Sequence, residues 1–262
     1  MDFGIKGQGA VIAAASKGLG RACALALAAE GVNVAVFARD LDALNETAAA
    51  ARARGVQALA IQADVTRPDQ IRQVVERAAS EFGRLDILIC NAGGPPPGTF
   101  ASVNEEQWEQ AFQLNLMSVV RLVNAALPHM RRQGGGRIIT LVSTSVREPI
   151  EGLILSNSIR PGVIGLAKTL ARELGPDHIT INNIITGSIM TARQRSLRER
   201  TAQQLGISLE EAIKQVEKDI PLGRLGEPEE LAALVAFLAS RQAAYITGAS
   251  IPVDGGIMKG IW

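Results

Sequence analysis

Aromatic residues make up only 3% of this 262-residue chain, which carries one tyrosine, two histidines and two cysteines. That scarcity excludes an interior built on large rings. With a hydrophobic fraction of 47%, the core must be filled by Ala, Val, Ile and Leu, a mixture that suits parallel strands buried on both faces by helices. Cys23 and Cys90 lack metal-ligand spacing and read as small core residues in a reducing compartment. Long apolar runs are missing too: the longest, Leu231–Ala239, is far too short to cross a bilayer. Residues Met1 to Lys6 have neither the basic start nor the apolar stretch of a signal peptide, so a cytoplasmic, soluble protein is expected. Neither sign of charge dominates, at 27 basic against 26 acidic residues. The balance argues against nucleic acid or a membrane surface and for a small molecule or a second copy as partner.

What is present is an alternation. Short β-branched or apolar runs at Ala10–Ala14, Val32–Phe37, Gln57–Gln62, Leu85–Cys90, Arg137–Val142, Thr180–Ile185 and Ser250–Val253 read as strands. Helical apolar spacing fills the intervals at Leu19–Ala29, Leu41–Arg54, Asp69–Phe82, Glu105–Arg132, Val163–Leu174 and Pro228–Ser240. Alternating strands and helices predict an α/β fold, a Rossmann-type doubly wound parallel sheet in one domain spanning residues 1–262. Gly31, Gly55, Gly83 and Gly175 fall where a left-handed helix end favours glycine. One segment, Ser188–Leu222, breaks the rhythm with two extra helices, Thr191–Leu205 and Leu209–Lys218, expected to form a lid over a ligand. Pro161 is incompatible with a helix interior, so the helix near it is expected to start late, capped by Ser156, Asn157 or Ser158.

The first strand runs into Ala14, Ser16, Lys17, Gly18, Leu19 and Gly20 before a helix. A glycine-rich turn at a helix N-terminus presents backbone N–H groups and the positive end of the helix dipole to a pyrophosphate. Ala14 is expected to keep φ below zero. The second strand ends at Ala38, with no carboxylate for a ribose 2′-hydroxyl, while Arg39 and Lys17 offer two cations to a 2′-phosphate. NADP(H) is therefore the expected cofactor, with NAD(H) as the alternative. Asp64 and Val65, after the third strand, are expected beside the adenine.

Taken with these features, the motifs that follow resemble the short-chain dehydrogenase/reductase family, above all its 3-oxoacyl carrier-protein reductase-like members, along nearly the whole chain. Asn91, Ala92 and Gly93 look like the family's Asn-Ala-Gly element beside the cofactor. The resemblance assigns Asn115 to the water-organising asparagine and Ser143 to the substrate-orienting serine. It puts Gly187, Ile189 and Thr191 near the nicotinamide and pyrophosphate. It also implies a homotetramer built on the helices Glu105–Arg132 and Val163–Leu174 and the strand Ile251–Val253.

The departure lies thirteen and seventeen residues beyond Ser143, where the family has Tyr and Lys and this chain has Ser156 and Arg160. The sole tyrosine, Tyr245, is far along the chain, so no shift of register restores it. A serine hydroxyl is a far weaker acid than a phenol, and arginine stays protonated. Arg160 is expected to hold the nicotinamide ribose without moving protons. His129 and His178 precede strands at the amino edge of the sheet and read as structural or surface residues. Glu148 and Glu151, or a water held by Asn115, Ser143 and Ser156, are the remaining proton sources. Arg193, Arg195, Arg198 and Arg200 on the lid point to an anionic substrate if any of them faces inward. The expected function is an atypical oxidoreductase acting on a small carbonyl or alcohol. A non-catalytic dinucleotide-binding protein and a non-redox lyase or isomerase are the alternatives.

Overall fold

In the computed structural model, which describes residues 2–261, all seven apolar runs become strands of one parallel sheet. They are β1 (Gly9–Ala13), β2 (Asn33–Ala38), β3 (Ala58–Gln62), β4 (Ile87–Cys90), β5 (Gly136–Ser143), β6 (Ile179–Thr186) and β7 (Ser250–Val253). Their spatial order is β3-β2-β1-β4-β5-β6-β7. The order reverses between β1 and β4, and in open α/β sheets the crevice for a ligand forms at the carboxyl ends beside such a switch.

Strand alternation divides the core into two halves. Ala10 and Ile12 of β1 and Val34 and Val36 of β2 point to one face, and Val11, Ala13, Ala35 and Phe37 to the other. The first face is covered by α1 (Gly18–Ala29), α2 (Leu41–Arg52) and α10 (Pro228–Ala239), through Leu27, Leu44, Leu231 and Leu238. The second is covered by α3 (Pro68–Phe82), α5 (Ser118–Arg132) and α7 (Pro161–Glu173), through Ile71, Val75, Leu122, Met130 and Val163. Side chains of this size interlock without aromatic filler, as the composition requires.

Three readings of the sequence need correction. The helix expected over Glu105–Arg132 is α4 (Glu105–Phe112) and α5 joined by a π-helical turn, Gln113–Met117, that holds Asn115. The helix near Pro161 does carry Pro161 in its first turn, but its expected caps are not caps: Ser156, Asn157 and Ser158 lie inside a short preceding helix, α6 (Ile154–Ile159). The chain then breaks at Arg160, and Pro161 is the first residue of α7, where its missing N–H leaves no hydrogen bond unmade. Gly31, Gly55 and Gly83 adopt the left-handed conformation, but Gly175 instead opens a short 3-10 turn. The two extra helices form as α8 (Ala192–Leu205) and α9 (Leu209–Glu217), with Gly206 left-handed at the end of α8.

Candidate active site

A cleft of about 1200 Å³ opens at the carboxyl edge of the sheet beside the switch point. Its floor is the turn between β1 and α1, where Ala14, Ser16, Lys17, Gly18 and Leu19 line the space. Lys17 occupies the N-cap of α1 without capping it by its side chain, so the first-turn N–H groups remain open to an anion. Gly20 does not line the cleft. It is buried, and a Cβ there would lie 2.9 Å from the Ala14 carbonyl carbon and the Ala15 Cα, so its lack of a side chain lets the helix start against the strand end.

Ala14 contradicts its expected conformation. It has φ +51°, in the left-handed region that disfavours a Cβ. Asn91 helps hold this geometry by donating from Nδ2 to the Ala14 carbonyl at 3.4 Å. Asn91, Ala92 and Gly93 also line the cleft, as does Thr191. Asp64 and Val65 also line the cleft, below Thr66. The Asp64 carboxylate is engaged locally, accepting from Thr66 N and Thr66 Oγ1 at 2.8 Å each.

Arg39 also lines the cleft, and neither it nor Lys17 is in an ion pair among the described residues. Asp40, the nearest acid in sequence, caps α2 by accepting from Ala43 N at 3.2 Å. Two exposed cations thus border a pocket rim that carries alanine at position 38.

Gly187, Ile189, Asn115, Ser143, Ser156 and Arg160 lie off the main cleft. Gly187 packs on the chain after β7, where a Cβ would fall 2.5 Å from the Asp254 Cα. Ile189 is buried and pairs with Gly226 in an isolated bridge. Asn115 is buried in the π-turn and donates from Nδ2 to the Gly93 carbonyl at 3.0 Å, while its Oδ1 has no partner. Ser143 ends β5, and its Oγ accepts from Ser145 N at 3.2 Å. Ser156 is 5% exposed, and its hydroxyl meets that of Ser145 at 2.9 Å. Ser145 is the member of this group that the sequence reading missed. Its only signal was proximity to Ser143.

Arg160 reaches the Leu141 carbonyl from Nη1 at 3.5 Å, and its buried Nε has no partner. Burial and the neighbouring Arg193 charge lower its pKa to about 10. It stays cationic at neutral pH. Of the lid arginines, Arg193 faces the cleft and donates to the Gly94 and Pro95 carbonyls at 3.0 and 3.3 Å. Arg195 and Arg200 are exposed. Glu148 is held by the C-terminal segment: its Oε1 accepts from Lys259 N at 2.7 Å and Gly260 N at 3.0 Å. His129 lies against Glu76 at 3.2 Å, and His178 is a left-handed residue before β6, both at the amino edge.

The strand order and the turn-lined cleft define a Rossmann-type dinucleotide-binding architecture. The chain belongs to the short-chain dehydrogenase/reductase family: residues 13–258 match the family described as enoyl-(acyl carrier protein) reductase. A 3-oxoacyl-[acyl-carrier-protein] reductase, FabG of Staphylococcus epidermidis, is 37% identical over 251 residues, covering 95% of this chain and 98% of that protein. L-sorbose reductase from Gluconobacter frateurii, solved with NADPH and L-sorbose, superimposes with a TM-score of 0.96 at 35% identity over 100% of both chains. YwfH, an NADPH-dependent reductase of bacilysin biosynthesis, gives 0.92 at 31% identity over 97% of this chain and 99% of that one. No helix among the described residues is long and apolar enough to cross a membrane.

Proposed function

We propose that residues 1–262 act as one NADP(H)-binding domain, an oxidoreductase for a small carbonyl or alcohol whose proton transfer does not use the family tyrosine. The observation that carries this reading is the cleft itself. The N-terminus of α1, with no side-chain cap, opens onto it, and the unpaired Lys17 at that N-cap and Arg39 beside Ala38 border it. The residues fit a phosphorylated dinucleotide: Ser16, Gly18 and Leu19 with Thr191 for the pyrophosphate, Lys17 and Arg39 for the 2′-phosphate, Asp64 and Val65 for the adenine. Relatives solved with NADPH or described as NADPH-dependent support the same choice. When bound, the nicotinamide supplies or accepts the hydride.

The chain's own groups must handle the proton. Ser156 and Ser145 form a buried hydroxyl pair that orients a donor but is too weak an acid to match a phenol. Arg160 supplies fixed positive charge near a developing oxyanion. The proton then comes through water or the substrate, and turnover is slow by about 10² to 10⁴ relative to a positioned general acid. Purified protein mixed with NADPH and a carbonyl panel tests this directly. Steady consumption supports the reading, and tight NADPH binding without consumption favours a non-catalytic binding protein. That second reading draws on one observation, the mutual satisfaction of the Ser145 and Ser156 hydroxyls. Assembly as a homotetramer belongs to the same proposal.

A further inference from the structure

Beyond β7, residues 254–260 run from the end of that strand to the segment that follows β5. The order β5-β6-β7 makes them cross the carboxyl end of β6, where Gly187 packs on Asp254. Each part of this course is fixed by a contact. The Asp254 carboxylate accepts from Gly256 N at 3.0 Å and from Met258 N at 3.1 Å, which folds the first turn on itself. Gly255 O accepts from Leu222 N at 3.2 Å, joining the turn to the chain that follows α9. Met258 packs against the second face of the core. Lys259 N and Gly260 N then both donate to Glu148 Oε1, at 2.7 and 3.0 Å, across 111 and 112 residues of sequence.

Glu148 lies among residues 144–153, which connect β5 to α6. They follow Ser143 directly and include Ser145, whose hydroxyl meets that of Ser156 at 2.9 Å. Their only regular structure is a short 3-10 turn, Thr144–Val146, so their position depends on ties to other parts of the chain. At the far end, Asn157 Nδ2 donates to Ile150 O at 2.8 Å and Gly98 N donates to Gly152 O at 2.6 Å. In the middle, Val146 packs on the core and Glu148 receives the C-terminal segment. A carboxylate that takes two backbone N–H groups makes charge-assisted bonds, about twice as strong as neutral ones.

We propose that residues 254–260 form a strap that sets the position of the segment carrying Ser143 and Ser145, with Glu148 as the positioning residue that receives it. Glu148 does not line the cofactor cleft, and it acts through the backbone it holds. The consequence for catalysis deepens the oxidoreductase reading and rests on it, whereas the strap itself does not.

Amide hydrogen exchange of the full chain, with and without NADPH, is followed by mass spectrometry in wild type, Glu148→Ala, Glu148→Gln and Lys259→Pro. In Glu148→Ala, residues 143–153 and 256–261 are expected to exchange about tenfold faster or more, while β1 and β4 stay as in wild type. Glu148→Gln keeps an acceptor oxygen and is expected to remain near wild type. Lys259→Pro removes a donor from the other side of the contact and is expected to loosen residues 143–153 with Glu148 intact. Unchanged exchange of residues 143–153 in either Glu148→Ala or Lys259→Pro overturns the strap. A rise shared equally by β1 and β4 overturns it too, because the substitution then acts on global stability. For any carbonyl that the wild type reduces, Glu148→Ala is expected to lower kcat about tenfold at unchanged NADPH affinity, with Glu148→Gln restoring it. An unchanged kcat beside a loosened segment overturns the positioning role. A wild type that binds NADPH but consumes no carbonyl sinks the oxidoreductase reading instead, and the exchange rates still decide the strap.

Discussion

The carbonyl of Ala14 occupies the space that a side chain on Gly20 would fill. This close approach marks how the end of β1 meets the start of α1, where Ala14 sits at φ +51° despite its Cβ. Left-handed alanine costs about 1 kcal/mol relative to glycine. Ala14→Gly is therefore expected to raise the free energy of unfolding by about that amount and to leave or improve NADPH affinity. Gly20→Ala is expected to weaken both, because the carbonyl cannot move without disturbing Asn91, its hydrogen-bond partner. Urea denaturation and fluorescence titration read the two effects. A destabilised Ala14→Gly variant would show that the turn gains something from the methyl group.

The cofactor preference follows from charge at the rim. With alanine at position 38 and Asp40 committed to capping α2, Arg39 has no internal counter-charge to leave. NADPH is expected to bind more tightly than NADH, and Arg39→Ala to reduce that preference about tenfold or more, the scale of one charge-assisted phosphate contact. Ala38→Asp is expected to turn the preference toward NADH by offering a carboxylate to the ribose. Tighter binding of NADH by the wild type would overturn the assignment.

The two cysteines carry a pH dependence of known sign. Burial pushes the Cys23 thiol up from 9.0 to about 12 and raises Cys90 as well. Below pH 9 both folded and unfolded chains hold these protons, so the thiols add no pH dependence. Above it the unfolded thiols ionise while the folded ones do not, and stability falls until the folded pKa is passed. At pH 10 the loss is about 1.4 kcal/mol for each thiol. Stability of wild type is expected to fall more steeply from pH 8 to pH 10 than that of the Cys23→Ala, Cys90→Ala double variant. Native protein at pH 8 is expected to react with a thiol reagent only at its unfolding rate. Fast native modification of either residue would contradict the burial.

The parallel sheet was legible because most of its strands are short, mainly apolar runs, and the central ones, buried on both faces, need little more. The phosphate turn was legible for a similar reason, since glycine before a helix leaves a local mark. What escaped is what tertiary contact decides. The left-handed Ala14 goes with a carbonyl that lies against Gly20 and accepts from Asn91, contacts that a local window does not reveal. The π-turn at Asn115 leaves the apolar pattern of α4 and α5 almost unchanged. Pro161 did announce a discontinuity, but α6 forms ahead of it where polar residues suggested caps. Glu148 looked like a loop acid until the C-terminal backbone N–H groups came to meet it. Which of four lid arginines faces the cleft could be learned only from the loop at Gly94 that receives it.

The substitutions at the family's tyrosine and lysine positions allow the strongest test of the chemistry. Ser156 is 5% exposed and touches the Ser145 hydroxyl, so a tyrosine there must displace or replace that partner. Residue 156 is held through its carbonyl, which accepts from Arg160 N at 3.2 Å, and through the contact of its hydroxyl with Ser145. Ser156→Tyr with Arg160→Lys installs a phenol beside an ammonium that lowers its pKa. With Asn115 and Ser143 unchanged, carbonyl reduction is expected to rise by about 10² to 10⁴. Pro161→Ala in a triple variant removes the break and re-aims the phenol, which matters because a misplacement of about 1 Å alone can cost about a hundredfold. NADPH oxidation is measured with ketones and aldehydes for all three proteins, with cofactor affinity checked in each. A gain in the double variant supports a site that lost only its general acid. A gain confined to the triple variant assigns the rest of the loss to the break at Pro161. If all bind NADPH equally and neither variant gains activity, the pocket has diverged beyond these positions, and the non-catalytic binding reading replaces the oxidoreductase one.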